Sequence, residues 1–260
     1  MYEPAMPPFQ PDSSVVADIV ASPTHDERKD GRRPDIILLH YTGMLSAQAA
    51  LERLCSPESR VSAHYFVFED GRIVQSVQET RRAWHAGASS WAGETDINSC
   101  SIGIEIANPG HDFGYPDFPK RQIAAVIALC RGIMARRGIS PDRVLAHSDV
   151  APSRKQDPGE KFPWRLLHDS GVGQWVTPSR ISERGPRFAL GHKGDDVRGL
   201  QAALADFGYG VPVNGSFDDA TRDVVTAFQR HFRPAKVDGV ADRSTLRTLH
   251  KLLEMRRVSA

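Results

Sequence analysis

The stretch SIGIEIAN, residues 101–108, has the clearest strand pattern in the chain. Because successive side chains of a strand point to opposite faces, its isoleucines share one face, and Gly103, Glu105 and Ala107 share the other. The two small residues leave space around the glutamate. The pattern therefore predicts a core strand that carries a carboxylate as a candidate functional group.

Segments on both sides of this strand alternate between strand patterns and helix patterns. Such alternation predicts an α/β fold, with a mixed β-sheet flanked by helices. The predicted elements are an interior strand at DIILLHYT (35–42), a helix over 46–55, two strands joined by a turn at 69–71 within VSAHYFVFEDGRIVQSV (61–77), a helix over about 120–137, and a strand at RVLAH (143–147). The charged stretch SPTHDERKDGRR (22–33) is predicted to be a loop.

The C-terminal part of the chain contains an internal repeat. VNGSFDDAT (213–221) recurs as VDGVADRST (237–245), and in each copy an aspartate stands where it can cap a following helix. With a further helix over 195–208, the repeat predicts a small three-helix domain. Its core is too thin to enclose a catalytic site easily, which favours a binding role. The predicted organisation is an extended arm over 1–20, an α/β domain over 21–176, a linker over 177–190 and the three-helix domain over 191–256.

Composition narrows the classes of partner and compartment. The 260 residues have a net charge of +1, which gives no electrostatic reason to expect nucleic acid as a partner. No apolar run approaches the ~20 residues of a transmembrane helix, and the N-terminus lacks the pattern of a secretory signal. The widely spaced Cys55, Cys100 and Cys130 include no CxxC pair, so we expect thiols rather than a disulfide framework.

Two histidines and one aspartate are candidate metal ligands. His40 and His147 each end a predicted strand, and Asp157 follows in AHSDVAPSRKQDPG (146–159), a loop that can return toward His147. Two imidazoles and one carboxylate leave one position of a tetrahedral zinc ion open, as in a catalytic site that holds water. The spacing thus favours hydrolysis, although a site with His64 or His85 as the third histidine stays open.

Three further groups suit such chemistry, each with a simpler alternative. Glu105 could act as a general base toward water, or it could be a strand carboxylate that faces solvent. Lys155 could stabilise an oxyanion, or it could be a solvated loop lysine. The stretch RRAWHAGASSWAG (81–93) combines aromatic and small residues that suit a sugar or peptide cleft, or its tryptophans could only pack.

Five ordered motifs, DIILLHYT, SAHYFVFEDGRIVQSV, RAWHAGASSW, NSCSIGIEIAN and AHSDVAPSRKQDPG, resemble a known family. They are similar to the zinc-dependent N-acetylmuramoyl-L-alanine amidases of the AmpD/AmiD type, whose fold is shared by phage T7 lysozyme and the peptidoglycan-recognition proteins. The resemblance covers about residues 15–175. The tail resembles the three-helix peptidoglycan-binding domain that is appended to many cell-wall hydrolases.

The resemblance implies a role for each candidate residue. It assigns the zinc ion (Zn2+) to His40, His147 and Asp157, and catalysis to Glu105 and Lys155. The residues that it places on the substrate side are His64, Trp84, His85, Ala86 and Gly87. The implied reaction is hydrolysis of the amide between the lactyl group of N-acetylmuramic acid and L-alanine, in peptidoglycan or in the muropeptides of its turnover and recycling.

Two alternatives to this function stay open: a peptidoglycan-recognition protein without catalysis, and a zinc peptidase that cuts within the stem peptide. The tail favours the cell envelope or periplasm, while the absence of a signal pattern makes the cytoplasm the alternative. The sequence does not distinguish 1,6-anhydro from ordinary muramic acid, and it does not indicate an oligomeric state.

Overall fold

The structure is a computed structural model that describes residues 8–181 and 184–259, except for the side chains of 258 and 259. The chain divides into two compact units. The first contains the described residues up to Gly87 together with Asn98–Val144. The second contains Ala88–Ile97 and the described residues from Leu145 onward.

A mixed six-stranded sheet is present, as predicted, and all of its strands except β8 lie wholly in the first unit. Its order is β1-β5-β4-β7-β3-β8, in which β3, β7 and β4 run parallel while β4 and β5 are antiparallel. A separate antiparallel pair joins β2 and β6. The strands are β1 (Asp18–Ile19), β2 (His25–Glu27), β3 (Ile36–Tyr41), β4 (Tyr65–Val67), β5 (Ile73–Gln75), β6 (Arg81–Ala83), β7 (Ser101–Ile106) and β8 (Val144–Ala146).

The helices of this part of the chain are α1 (Ala47–Leu54), α2 (Ile97–Cys100) and α3 (Lys120–Arg137). The Ser46 hydroxyl accepts a hydrogen bond from the Ala49 N–H and so caps α1 at its start. Gly138 ends α3 with a φ of 70°, a left-handed conformation that glycine adopts without strain. Helices α1 and α3, and the residues at which they begin and end, agree with the sequence pattern.

Two predictions for the N-terminal region were incomplete. The predicted loop over 22–33 contains β2, and Arg28 is buried after it, where its guanidinium donates to the carbonyls of Glu79, Ser99 and Ser101. The charged residues of this segment do not form a strand pattern. It is a strand because it pairs with β6, which is distant in the sequence. The predicted arm over 1–20 contains β1, which pairs with β5. Residues 1–7 lie outside the described part of the chain.

The second unit contains α4 (His147–Val150), α5 (Trp164–Asp169), β9 (Arg187–Phe188), α6 (Asp195–Phe207), α7 (Asp219–Phe232), β10 (Ala241–Asp242) and α8 (Arg243–Ser259). The three predicted helices are confirmed as α6, α7 and α8. Asp218 and Asp242 accept hydrogen bonds from the N–H groups of Thr221 and Thr245, as expected of helix caps. The prediction for His147 was wrong in detail: the strand ends at Ala146, and His147 begins the short helix α4.

None of the three cysteines forms a disulfide, and Cys100 and Cys130 are buried. Among the described residues, no helix combines the length and apolar character needed to span a membrane.

Candidate active site

Adjacent parallel strands place His40 and Glu105 side by side. In the register of β3 and β7, His40 is paired with Glu105 and Leu38 with Gly103. Register partners of a parallel pair point to the same face, so one face of the sheet carries both the imidazole and the carboxylate. His40 is buried, while Glu105 is partly exposed. The glutamate is therefore positioned beside a candidate ligand, with part of the residue exposed and its Oε2 atom buried.

The His85 ring lies over the same face of the sheet. Its Nδ1 is 3.0 Å from His40 Nε2, and its Nε2 is 3.3 Å from the Ser101 hydroxyl. A Cβ atom at Gly103 would lie only 2.5 Å from Cγ of His85. Glycine at this position thus makes room for the ring that contacts His40.

The predicted substrate loop is fixed by Asn98, a residue that no pattern in the sequence distinguishes. The Asn98 side-chain oxygen accepts hydrogen bonds from the N–H groups of His85 and Ala86, at 3.1 and 2.8 Å. The Trp84 indole N–H donates to Asp26 at 2.6 Å. Ala86 is buried and Gly87 is exposed with a φ of 61°. These contacts give the loop a defined conformation.

Replacing Gly103 by alanine is expected to displace the His85 ring. Forcing one methyl group into this packed position typically costs about 1–3 kcal/mol, and the displaced ring would disturb His40. We expect a lower unfolding temperature together with reduced activity. Gly199→Ala is the matched control, since a Cβ there meets no atom within 4 Å. Full activity in Gly103→Ala would show that the ring position is irrelevant.

His64 is buried within the sheet and bonds to main-chain groups of neighbouring strands. The ring is fully buried, its Nδ1 accepts from the Gly103 N–H at 2.9 Å, and its Nε2 is 3.0 Å from the Arg81 carbonyl oxygen. Burial and the adjacent Arg28 guanidinium lower the pKa of His64 to about 3. We therefore propose a structural role for His64, in place of the substrate contact that the resemblance implied.

The depressed pKa of His64 predicts a loss of stability in mild acid. The unfolded chain, with a histidine pKa near 6.5, binds a proton that the folded chain does not, so stability falls as the pH drops below about 6.5. Between pH 7 and pH 5 this difference amounts to about 2 kcal/mol. Urea unfolding with a chelator present should show a shallower pH slope for His64→Gln than for the wild type or for His250→Gln, a change of an exposed histidine. If the pH slope of His64→Gln equals that of the wild type, groups other than His64 cause the acid sensitivity.

His147 and Asp157 form a close buried pair. Nδ1 of His147 is 2.9 Å from Oδ2 of Asp157, and the Ser148 N–H donates to the Asp157 carbonyl. The loop over 151–159 thus folds back onto α4, as the sequence predicted. Lys155 is half-buried in this loop, where its main-chain N–H donates to Ala151.

The three predicted ligands come together. His40, His147 and Asp157 each offer one ligand atom, and these atoms lie within 4.8 Å of one another. All three residues are buried, and imidazole nitrogen and carboxylate oxygen are donors that zinc takes in proteins. Among the described residues, the group with metal-binding geometry includes neither His64 nor His85.

Comparison with known proteins agrees with this arrangement. Residues 30–160 match the model of a family described as N-acetylmuramoyl-L-alanine amidase. AmiD of Escherichia coli K12, also an N-acetylmuramoyl-L-alanine amidase, is 37% identical over 238 residues, which cover 85% of this chain and 83% of AmiD. The chain belongs to the N-acetylmuramoyl-L-alanine amidase family. It is an enzyme of the AmiD/AmpD type, which confirms the function that the motifs implied.

Solved structures of amidases have the same fold as this one. The complex of E. coli AmiD with anhydro-N-acetylmuramic acid-L-Ala-D-γ-Glu-L-Lys superimposes with a TM-score of 0.73 and covers 86% of this chain and 90% of that one. AmpDH3 of Pseudomonas aeruginosa, solved with an anhydromuramic pentapeptide, is 32% identical with a TM-score of 0.72, over 88% and 94% of the two chains. Residues 193–249 of the amidase match a putative peptidoglycan-binding domain, which indicates association with the cell envelope.

Proposed function

We propose that this amidase binds one zinc ion through His40, His147 and Asp157, and that it uses Glu105 and Lys155 to release the stem peptide from muramic acid. The observation that carries the proposal is the close grouping of the three ligand atoms. Two histidines and one carboxylate leave a fourth position open, which is typical of a catalytic rather than a structural zinc site. When bound, the metal supplies Lewis acidity that polarises a carbonyl oxygen and lowers the pKa of water.

Glu105 provides the proton transfer in this proposal. It stands next to His40 in the strand register and is partly exposed. From there its carboxylate can accept the proton of the attacking water and deliver it to the nitrogen of the leaving L-alanine. The transfer is needed because an amine leaves an amide far more readily when it is protonated.

Lys155 provides positive charge near the developing oxyanion. It stands two positions before Asp157 in the same loop, so its location is tied to that ligand. An ammonium group in this place stabilises negative charge on the carbonyl oxygen in the transition state.

In the first unit, we propose that Trp84, His85, Ala86 and Gly87 line the substrate side.

The proposed substrates are muropeptides, including their 1,6-anhydro forms, and polymeric peptidoglycan. The anhydromuramyl ligands in the AmiD and AmpDH3 structures support the first, and the peptidoglycan-binding match supports the second. Retention of the enzyme on the polymer would raise its local concentration there. We propose the periplasm as its location, a linker over 177–190 and a helical domain over 191–256. The α/β domain expected over 21–176 is proposed to include β1 as well, since Asp18–Ile19 pairs with β5.

Mass spectrometry of the digestion products tests this function. The purified enzyme is incubated with an anhydromuramyl peptide and, separately, with insoluble peptidoglycan. We expect one water to be added and a free peptide with L-alanine at its N-terminus to be released, with loss of activity after chelation and recovery with zinc. A cut within the stem would instead indicate a peptidase, and binding without cleavage a recognition protein.

A further inference from the structure

Asp149 is a buried carboxylate in α4, two residues after the proposed ligand His147. It is inaccessible to solvent, and it accepts three hydrogen bonds. The donors are the Ala146 N–H at 2.8 Å, the Tyr209 hydroxyl at 2.7 Å and Nδ1 of His231 at 2.7 Å. A carboxylate out of contact with water depends on such donors for its stability.

Two of the three donors belong to the helical region that matches a peptidoglycan-binding domain. Tyr209 follows α6 and His231 lies in α7, both within residues 193–249. Burial and the Asp149 carboxylate raise the pKa of Tyr209, so its hydroxyl stays protonated and donates. The His231 ring stacks between Trp164 and Phe232, with ring centroids 3.7 and 3.8 Å away, which fixes its orientation.

The same helix also contacts the loop that carries Asp157. Arg230, the neighbour of His231 in α7, donates to the Gln156 side chain at 3.4 Å and lies 3.8 Å from the Glu160 carboxylate. These two residues flank Asp157 in the sequence. Helix α7 thus contacts both segments that supply ligands in this unit, α4 through Asp149 and the loop through Gln156 and Glu160.

The segment over 88–97 also contacts the helical region. The Trp91 ring is buried against Tyr209, with centroids 5.0 Å apart, and the Ala92 N–H donates to the Gly208 carbonyl. A Cβ atom at Gly208 would lie 2.6 Å from the indole, so the two surfaces are closely fitted. Trp91, which the sequence suggested for a sugar or peptide cleft, therefore packs on the helical region.

We propose that Asp149 is a positioning residue, through which Tyr209 and His231 of the peptidoglycan-binding helices hold the His147–Asp157 pair in the geometry that binds metal. The inference rests on the proposed zinc site. It gives the C-terminal helices a second role, since they would complete the active site as well as bind the polymer.

The shortness of α4 explains why such support is needed. A helix of four residues is not stable by itself, so contacts with other elements determine where His147, its first residue, points. Asp149 accepts a hydrogen bond from the N–H of Ala146, the residue just before His147. Without the tyrosine and histidine donors, the buried carboxylate would retain one partner of three, and α4 would move to bring it to water.

Zinc affinity of Tyr209→Phe, His231→Phe and the double variant tests the proposal. Both substitutions keep an aromatic ring. Tyr209→Phe removes only the hydroxyl, whereas His231→Phe replaces the imidazole with a somewhat larger ring that has no nitrogen atoms. Loss of a residue that orients a metal ligand typically lowers affinity 10- to 100-fold, so we expect about 10-fold for each single variant and about 100-fold for the double variant in competition with a chelator. The Co2+-substituted variants should also show an altered visible absorption spectrum, which reports ligand geometry directly.

Thr248→Val is the matched control. It removes both hydrogen bonds of the Thr248 hydroxyl in α8, which donates to the Ser244 carbonyl and accepts from the Ser179 N–H, without contact to Asp149. We expect it to lower stability as the other variants do, while zinc affinity and the Co2+ spectrum stay at wild-type values. Tyr209→Phe loses a single oxygen, so it remains informative if the double variant does not fold.

Two outcomes overturn the inference in distinguishable ways. If the wild type binds zinc and Tyr209→Phe and His231→Phe bind it equally tightly with an unchanged Co2+ spectrum, Asp149 does not position the ligands. If the wild type itself binds no zinc, the proposed function fails, and the inference fails with it.

Discussion

Glu105→Gln is expected to abolish most turnover while leaving zinc binding intact. Glutamine has nearly the same shape but cannot accept the proton of the attacking water at neutral pH. General acid–base groups typically contribute 10²–10⁴-fold, so we expect kcat to fall by about that factor on an anhydromuramyl peptide. Because Glu105 lies beside His40 but is not one of the three grouped ligands, metal content should remain at one zinc per chain.

Glu52→Gln is the control for this experiment. Glu52 is exposed on α1, and its replacement should change neither kcat nor zinc content. Undiminished turnover in Glu105→Gln would remove this residue from the mechanism. Loss of zinc in the same variant would mean that Glu105 supports the metal site rather than the proton transfer.

Asp157→Ala is expected to lose zinc and activity together. The carboxylate contributes a proposed metal ligand, and it also lies 2.9 Å from Nδ1 of His147. Even residues that only support a ligand typically change affinity 10- to 100-fold, so removal of the ligand itself should exceed about 100-fold. Metal analysis after dialysis and activity at increasing zinc concentration would measure the two effects.

The exposed Asp206 on α6 provides the matched control, as Asp206→Asn changes one aspartate far from any predicted ligand in the sequence. We expect wild-type zinc content and kinetics for it. Should Asp157→Ala retain its zinc through dialysis, the metal must be held by other residues, and the assignment of this loop to the metal site would be wrong.

Local patterns in the sequence predicted the parts of the fold that short-range physics determines. The alternation in SIGIEIAN and the apolar run before His40 predicted β7 and β3, whose register then brings Glu105 next to His40. Ser46 and Asp218 occur at helix starts because their side chains satisfy main-chain N–H groups there. The proline and glycine that follow Asp157 predicted a loop that returns toward His147, and Asp157 does contact His147.

Features that depend on distant partners were not predictable in this way. β2 consists of polar residues, and only its pairing with β6 makes it a strand. Asp149 contacts Tyr209 and His231 across 60 and 82 positions of sequence, and none of the three has a pattern that distinguishes it from an ordinary polar residue. Asn98 was missed for the same reason, since its role is to accept hydrogen bonds from the loop at His85 and Ala86.

Anomalous X-ray diffraction at the zinc absorption edge, from crystals of the wild-type enzyme, tests the central claim most directly. We predict one strong peak, which marks a zinc ion bound by the imidazoles of His40 and His147 at about 2.0–2.1 Å and by a carboxylate oxygen of Asp157 at about 2.0–2.2 Å. An active enzyme with no anomalous peak at these three residues, or with its zinc bound by other side chains, would contradict the account.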